Sequence, residues 1–153
     1  MPDQYSFFDA PRDKMAVHYS SSTPEWATPS DFFARLDKEF NFEVDVCATP
    51  ENAKCPVFYT KEMDGLSIKW TGVCWMNPPY GREIGRWIEK AYVSSLSGAT
   101  VVCLIPARTD TKYFHDYCLP FGELRFIKGR LKFGGHKDPA PFPNVVVIFR
   151  GKK

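Results

Sequence analysis

The chain has 153 residues, of which 44% are hydrophobic and 25% are charged, and its formal net charge is only +2. That length predicts one domain with a sizeable core, and the weak net charge means that any basic surface for nucleic acid must be local. The five cysteines are odd in number, form no C-x-x-C pair and mostly lie in apolar runs, so we expect reduced core residues and neither a disulfide framework nor a metal site.

The N-terminal part predicts a loose arm and then a helix. Residues 1–22 mix charges, prolines and a Ser-Ser-Ser-Thr run with scattered aromatics, which predicts a loosely ordered arm ahead of a domain at 23–153. Thr28 is suited to cap a helix and Pro29 to occupy its first turn, and the apolar residues that follow keep helical spacing.

Short strands and a β-α unit are predicted next. Residues 42–47 and 57–60 have the pattern of short strands, and a brief helical turn is expected over 51–54. The apolar run 73–76 predicts a buried strand, and the helix expected from about Arg82 keeps its apolar residues at helical spacing.

The C-terminal part predicts a further buried strand, a helix and a strand pair. Residues 101–105 form a continuous apolar run, typical of a parallel strand that is covered on both faces. Asp110 is a plausible helix cap, and 123–133 and 145–149 predict two strands joined by a loop over 134–141. Together the segments predict an α/β fold whose sheet is mostly parallel, with an antiparallel C-terminal strand pair.

The most specific feature is the tetrapeptide Asn77-Pro78-Pro79-Tyr80, which directly follows the apolar run 73–76. Two consecutive prolines cannot extend a strand, because neither donates a ladder hydrogen bond and each fixes φ near about −65°. The resulting corner presents an amide side chain, backbone carbonyls and an aromatic ring. In open α/β sheets, ligands bind just beyond the carboxyl ends of the strands.

This set of groups predicts a site for a planar, amine-bearing substrate such as a nucleobase. The Asn77 side-chain oxygen and the Pro78 carbonyl are expected to accept from the exocyclic amine, while Tyr80 stacks on the ring. A nitrogen held in this way attacks an electrophilic carbon such as a sulfonium methyl group, and positioning supplies most of the catalysis. A base inside a duplex must first be flipped out.

At this point the sequence resembles the short, phage-type Dam-like DNA adenine-N6 methyltransferases, which carry Asn-Pro-Pro-Tyr after a strand. Three more segments occur in the order of that family: Trp26-Ala27-Thr28-Pro29, Asp45-Val46-Cys47-Ala48 and Asp64-Gly65-Leu66. A later segment, Gly129-Arg130-Leu131-Lys132-Phe133, resembles the part of the family that approaches the target base.

The resemblance implies a single Rossmann-like methyltransferase domain, reduced in size, that uses S-adenosyl-L-methionine to methylate the exocyclic N6 of adenine in DNA. It implies catalytic roles for Asn77, Pro78, Pro79 and Tyr80. The residues that it implies for cofactor binding are Trp26, Thr28, Pro29, Asp45, Cys47, Ala48, Asp64, Leu66 and Asn77.

DNA contacts are expected from residues near the target base and from a local basic cluster. The cluster, Arg125, Lys128, Arg130, Lys132 and Lys137, is either a solvated face or a stripe that contacts phosphates. The residues assigned to nucleic-acid binding are Tyr80, Arg108, Lys128, Arg130, Lys132 and Phe133.

The chain departs from the usual pattern in two places. It has Cys47-Ala48-Thr49-Pro50 where related enzymes carry a glycine-rich turn, and Glu62 is only a candidate for the acidic residue that binds the cofactor ribose. The sequence leaves open methylation of cytosine N4, RNA adenine or a protein glutamine, and a non-catalytic nucleic-acid-binding protein with the same fold. It also leaves open a monomer or a homodimer.

Neither a membrane span nor a secretory signal is predicted. No apolar run is long enough to cross a bilayer, and the sequence begins Met-Pro-Asp-Gln, unlike a signal peptide. We therefore expect a protein of the bacterial or phage-infected host cytoplasm, with DNA as its partner and no membrane or metal partner.

Overall fold

Within the described residues, the secondary structure consists of six strands and a few helices. A computed structural model describes residues 27–134 and 138–153, so the predicted arm at 1–22 and Trp26 lie outside the described residues. The strands are β1 Val44–Asp45, β2 Val57–Phe58, β3 Val73–Met76, β4 Thr100–Pro106, β5 Glu123–Phe126 and β6 Asn144–Phe149. The helices are α1 Ser30–Phe40, α2 Ile84–Leu96 and a π-helical turn Phe114–Cys118 that continues into α3 Leu119–Phe121, with a 3₁₀ turn at Gly65–Ser67.

The six strands form one mixed sheet in the order β2-β1-β3-β4-β6-β5. The pairings among β1, β2, β3 and β4 are parallel, whereas β6 is antiparallel to both β4 and β5. This confirms the predicted α/β fold, with a mostly parallel sheet and an antiparallel C-terminal strand pair. It agrees with a reduced Rossmann-like methyltransferase fold.

The register fixes which residues share the functional edge of the sheet. The carboxyl ends of β1, β3 and β4 lie together at what we call the carboxyl edge, because these strands are parallel. Asn144 begins β6 and pairs with Pro106, the last residue of β4. The antiparallel direction of β6 therefore brings Asn144 to the same edge.

Burial explains why the central strands are the easiest to predict. Every residue of β6 and all but the first of β3 and β4 are buried, which accounts for their continuous apolar sequence. Helix α1 packs Phe33 against Trp75 of β3, with the ring centroids 5.2 Å apart in an edge-on arrangement. Four of the five cysteines are buried as predicted, and burial raises the pKa of Cys74 and Cys118 to about 12.

Several predicted element ends are wrong, and local hydrogen bonds explain two of them. The prediction that Thr28 caps the first helix is wrong, because α1 begins at Ser30 with Pro29 in the cap position. The strand predicted over 42–47 is reduced to β1, because the Phe42 N–H donates to the Asp37 carboxylate and the Cys47 N–H donates to the Asp45 carboxylate.

Backbone geometry explains two further differences. The strand predicted over 123–133 ends at Phe126, and Gly129 then adopts a left-handed φ of 79° that no regular strand contains. The helix predicted after Asp110 widens into the π-helical turn just before Pro120. In an α-helix, proline lacks the N–H that would bond to the carbonyl four residues earlier, and its ring clashes with that carbonyl. The wider π-helical turn relieves this clash.

Two shorter segments also differ from prediction. Residues 51–54 form a non-helical turn, and the strand expected over 57–60 is confined to β2. No helix within the described ranges is long and apolar enough to cross a membrane.

Candidate active site

The proline corner lies at the carboxyl edge, between the end of β3 at Met76 and the start of α2 at Ile84. Asn77 is the first residue after β3, and only 8% of its surface is exposed. A buried amide must find hydrogen-bond partners, because an unsatisfied polar group costs about 1–3 kcal/mol.

Four buried side chains, Thr28, Asn77, Tyr80 and Asn144, form one hydrogen-bonded series that we call the polar chain. Asn77 Nδ2 donates to Thr28 Oγ1 at 3.1 Å, and the Tyr80 hydroxyl donates to Asn77 Oδ1 at 2.8 Å. Asn144 Nδ2 lies 3.4 Å from the Tyr80 hydroxyl oxygen and 3.2 Å from the Ile105 carbonyl, and donates to both. The structure thus brings Thr28 to the proline corner rather than to a helix cap.

The ring of Tyr80 is enclosed rather than exposed. It is 6% exposed and meets Phe142 and Phe133 edge-on, with ring centroids 5.6 and 6.3 Å apart. Burial is the main cause that raises the pKa of its hydroxyl well above the ordinary value, so the group stays protonated and available as a donor. Phe133, expected to contact the base, is itself buried beside Tyr80.

A cleft of about 840 Å³ adjoins the corner. It brings together the predicted cofactor residues Cys47, Ala48, Asp64 and Leu66, and Pro79 of the corner also lines it. The volume falls within the range of small-molecule sites. Glu62, the candidate for the ribose-binding acid, also lines it. Residues that line it but were not singled out from the sequence include Glu51, Tyr59, Glu83, Arg86 and Trp87.

Gly65 shapes the floor of this cleft. A Cβ at this position would lie 2.5 Å from the Val46 carbonyl oxygen and 3.2 Å from the Trp87 ring, so only glycine fits without a shift of the backbone. The preceding residue, Asp64, has a left-handed φ of 54°, a conformation that aspartate tolerates better than most residues. The Asp64-Gly65 turn is therefore a conformational requirement as well as a source of a carboxylate.

A small crevice connects the first strand end with the corner. Thr28, Asp45, Cys47 and Asn77 all line it, together with Asn52 and Lys54. Cys47 lines both the crevice and the larger cleft, so the two spaces adjoin. Pro29 lines neither space, and its carbonyl accepts a helical hydrogen bond from Phe33.

Asp45 is a buried carboxylate at the end of β1. It accepts hydrogen bonds from the backbone N–H of Lys54 at 3.0 Å and of Cys47 at 3.3 Å. Loss of solvation nevertheless dominates and raises the pKa of Asp45 to about 7. Its oxygens hold the turn that follows β1.

The predicted DNA-contacting residues lie around the same edge. Arg108 follows β4, and the exposed Lys128, Arg130 and Lys132 lie in the segment after β5. Arg130 Nη1 donates to the Ala140 carbonyl at 3.3 Å, which holds two parts of this loop together. Of the other two members of the basic cluster, Arg125 forms ion pairs with Glu39 and Glu123, and Lys137 lies outside the described residues.

Asn144 is the member of the polar chain that sequence reasoning missed. It lies 64 positions from Tyr80 along the chain, and only the antiparallel return of β6 brings the two together. The one available signal was a polar residue at the start of an apolar strand. No cluster of three or more metal-ligating side chains occurs in the part of the chain that the structure describes.

Comparison with known proteins agrees with this arrangement. The sequence model of the DNA N-6-adenine-methyltransferase (Dam) family matches residues 18–151. A protein named DNA N-6-adenine-methyltransferase from Haemophilus phage HP1 (strain HP1c1) is 34% identical over 137 residues, covering 83% of this chain and 79% of the relative. A protein of the same name from Escherichia phage T1 is 29% identical over 110 residues, covering 69% of this chain and 45% of the relative.

The family resemblance drawn from the sequence, and with it the prediction of an adenine-N6 DNA methyltransferase, is confirmed. The chain belongs to the DNA N-6-adenine-methyltransferase (Dam) family.

Proposed function

We propose that this chain transfers a methyl group from S-adenosyl-L-methionine to N6 of adenine in DNA, and that Asn77 and the Pro78 carbonyl hold the reacting amine. The observation that carries the residue-level proposal is the position of Asn77. It is buried at the carboxyl edge, tied to its neighbours by hydrogen bonds at 2.8 and 3.1 Å, and adjoins the crevice that leads to the cleft.

The residues that line the cleft fit the proposed methyl donor. Asp64 and Glu62 offer carboxylates for amine and hydroxyl groups, and Leu66 and Ala48 offer apolar contact for a purine. The buried Asp45 holds the turn that borders both cavities. When bound, S-adenosyl-L-methionine supplies an electrophilic methyl group on a sulfonium, whose transfer leaves a neutral thioether.

Asn77 supports the attack of the amine by fixing its nitrogen. An amide oxygen has two lone pairs, and the Tyr80 hydroxyl uses one. The second lone pair and the Pro78 carbonyl accept the two amine protons, which directs the nitrogen lone pair toward the methyl carbon. With the donor bound, the amine nitrogen held by Asn77 and Pro78 would take up the methyl group as the thioether departs, and would then lose one proton to water. Positioning of this kind supplies most of the rate acceleration.

DNA is held through the segment after β5. Lys128, Arg130 and Lys132 are exposed there and supply positive charge beside the edge that carries Asn77. Phosphate contacts of this kind add affinity without reading sequence. A DNA substrate and the phage origin of the relatives support activity in the cytoplasm of a bacterial or phage-infected cell.

Partition of a methyl label tests the substrate class. The protein is incubated with methyl-tritiated S-adenosyl-L-methionine and, in parallel, with duplex DNA, RNA of the same sequence and a bacterial protein extract. We expect label in DNA, and none above the no-enzyme control in RNA or protein. Label confined to RNA or to protein would overturn the proposal.

A further inference from the structure

We propose that Asn144 is a positioning residue for methyl transfer, because its side-chain amide holds the Tyr80 hydroxyl and that hydroxyl orients the acceptor oxygen of Asn77. The inference rests on the proposed function of Asn77. It assigns a reaction-related role to a residue in β6, at the opposite end of the polar chain from Thr28.

Asn144 is built into the edge of the sheet. It is 2% exposed and pairs with Pro106 at the end of β4. Its Nδ2 donates to the Ile105 carbonyl at 3.2 Å and to the Tyr80 hydroxyl at 3.4 Å, so both amide protons are used inside the protein. The side chain therefore has one preferred orientation.

The other end of the same amide is left unsatisfied. Asn144 Oδ1 is buried and has no hydrogen-bond partner among the residues that the structure describes. Leaving a buried polar atom unpaired is unfavourable, and it calls for an explanation where it occurs. The amide thus leaves one polar atom unpaired while its N–H groups hold the Ile105 carbonyl and the Tyr80 hydroxyl, so the donor end of the side chain sets its orientation.

The direction of the hydrogen bonds supplies that role. The Tyr80 hydroxyl has a single proton, and two acceptors compete for it: Asn77 Oδ1 at 2.8 Å and the Leu104 carbonyl at 3.4 Å. Because Asn144 presents N–H groups rather than its oxygen, the Tyr80 oxygen acts as an acceptor toward it and keeps its proton for Asn77. A reversed Asn144 amide would compete for that proton.

The consequence is an Asn77 amide that is fixed from both ends. Tyr80 binds its oxygen and Thr28 binds its nitrogen. The terminal torsion of asparagine is otherwise broad, so without these bonds the free lone pair of Oδ1 would sample many directions. Asn144 acts on the reaction only through Tyr80, and it does not itself touch the substrate.

A double-mutant cycle tests this dependence. Single-turnover methylation of an adenine-containing duplex is measured at saturating S-adenosyl-L-methionine for wild type, Asn144→Leu, Tyr80→Phe and the double variant. We expect Asn144→Leu to slow the chemical step by about tenfold or more, with the KM for S-adenosyl-L-methionine unchanged. In the Tyr80→Phe background, the same substitution should slow it by less than about twofold.

Thr111→Val is the matched control. Thr111 is 1% exposed, and its hydroxyl donates to the Arg108 carbonyl at 2.7 Å, so the variant also removes a buried side-chain hydrogen bond near the carboxyl edge. We expect Thr111→Val to lower the melting temperature but to leave the single-turnover rate within about twofold of wild type. A wild-type rate in Asn144→Leu, or an equal slowing in both backgrounds, would overturn the role of Asn144.

A second measurement is independent of activity. The side-chain amide protons of Asn77 are followed by ¹⁵N-edited NMR. They should exchange with solvent at least several-fold faster in Asn144→Leu than in wild type or Thr111→Val. Unchanged exchange of the Asn77 amide protons would contradict the positioning role of Asn144, whether or not the protein methylates DNA. A wild-type protein that is inactive on DNA would contradict only the proposed function.

Discussion

At the residue scale, the site depends on polar groups that are buried and almost fully hydrogen-bonded. Asn77 is the clearest case, because the same side chain serves the proposed chemistry and completes the polar chain. Its oxygen is held by Tyr80 and its nitrogen by Thr28. Loss of Asn77 should therefore lower both activity and stability, and an experiment must separate the two.

Asn77→Ala should abolish methyl transfer, with a fall in kcat of about 100-fold or more, because the principal acceptor for the amine is lost. It should also lower the free energy of unfolding by about 1–3 kcal/mol, because two buried partners lose their hydrogen bonds. Thr28→Val removes the hydrogen bond to Asn77 Nδ2 but keeps the Asn77 oxygen. If both variants lose activity equally, the oxygen of Asn77 is not the decisive group.

Asp45 gives the stability of the protein a defined pH dependence. Its pKa is raised from 3.8 to about 7, chiefly by burial. The folded state thus binds the Asp45 proton more tightly than the unfolded state does. The stability that this proton contributes is complete below about pH 4 and is lost as the pH rises through about 7.

Urea unfolding at pH 5 and pH 7.5 measures this contribution. From pH 5 to pH 7.5, wild type should lose about 2–3 kcal/mol more unfolding free energy than Asp45→Asn, which has no carboxyl to titrate. Each protein is compared with itself at the two pH values. Any loss of unfolding free energy that Asp45→Asn causes equally at both pH values, through altered hydrogen bonds, therefore cancels. Parallel pH profiles would show that Asp45 does not titrate in this range.

At the element scale, a tight turn shapes the cleft beside the proline corner. The 3₁₀ turn that begins at Gly65 lies against Val46, at the end of β1, and against Trp87 of α2. The Gly65 carbonyl accepts from Trp70 Nε1 at 2.9 Å, so the same turn is tied to the core. This close contact between three elements is the reason for a glycine here.

Gly65→Ala should weaken binding of S-adenosyl-L-methionine by about tenfold or more and destabilise the fold by about 1–3 kcal/mol, because the new methyl group displaces the cleft wall. Isothermal titration calorimetry and thermal melting measure the two effects. Gly85→Ala is the control. Gly85 lies inside α2, and a Cβ at this position would lie 3.6 Å from the Tyr113 Cβ, which is an ordinary van der Waals distance. Equal affinities of the two variants would contradict the proposed role of the Gly65 turn.

Sequence patterns predicted elements well where the signal was local. The run 73–76 and the prolines that follow predicted β3 and its corner, because burial on both faces and the absence of N–H groups act within a few residues. Strand ends were less predictable. The carboxylates of Asp37 and Asp45 capture the backbone N–H groups of Phe42 and Cys47, and nothing in the strand pattern reveals such competition.

The candidate site was predictable in part for the same reason. The cleft brings together Cys47, Ala48, Asp64 and Leu66, which short motifs had pointed to. Asn144 could not be found in this way, because its contact with Tyr80 depends on the strand order of the sheet. The enclosure of the Tyr80 ring by Phe133 and Phe142 likewise arises from the tertiary path of the loop after β5.

At the scale of the whole molecule, charge is nearly balanced, so DNA binding must depend on where the positive charges lie. Lys128, Arg130 and Lys132 are exposed in the segment after β5, beside the carboxyl edge. Lys69, Lys152 and Lys153 are also exposed, but Lys69 precedes β3, and Lys152 and Lys153 follow β6. The two sets have equal charge and differ in position.

Replacing Lys128, Arg130 and Lys132 by alanine should reduce the slope of log affinity for duplex DNA against log salt concentration by about 2 to 3, since each phosphate contact contributes about 0.9. The triple variant of Lys69, Lys152 and Lys153 carries the same change in net charge and should leave the slope nearly unchanged. Fluorescence anisotropy across a salt series measures both. Equal slopes for the two variants would place the DNA elsewhere.

The most direct test of the central claim is the identity of the methylated nucleoside. Duplex DNA is treated with the protein and trideuteromethyl S-adenosyl-L-methionine, digested to nucleosides and analysed by mass spectrometry, with Asn77→Ala in parallel. We predict trideuterated N6-methyldeoxyadenosine from the wild-type protein and none from Asn77→Ala. Trideuterated N4-methyldeoxycytidine as the main product, or an Asn77→Ala variant as active as wild type, would contradict it.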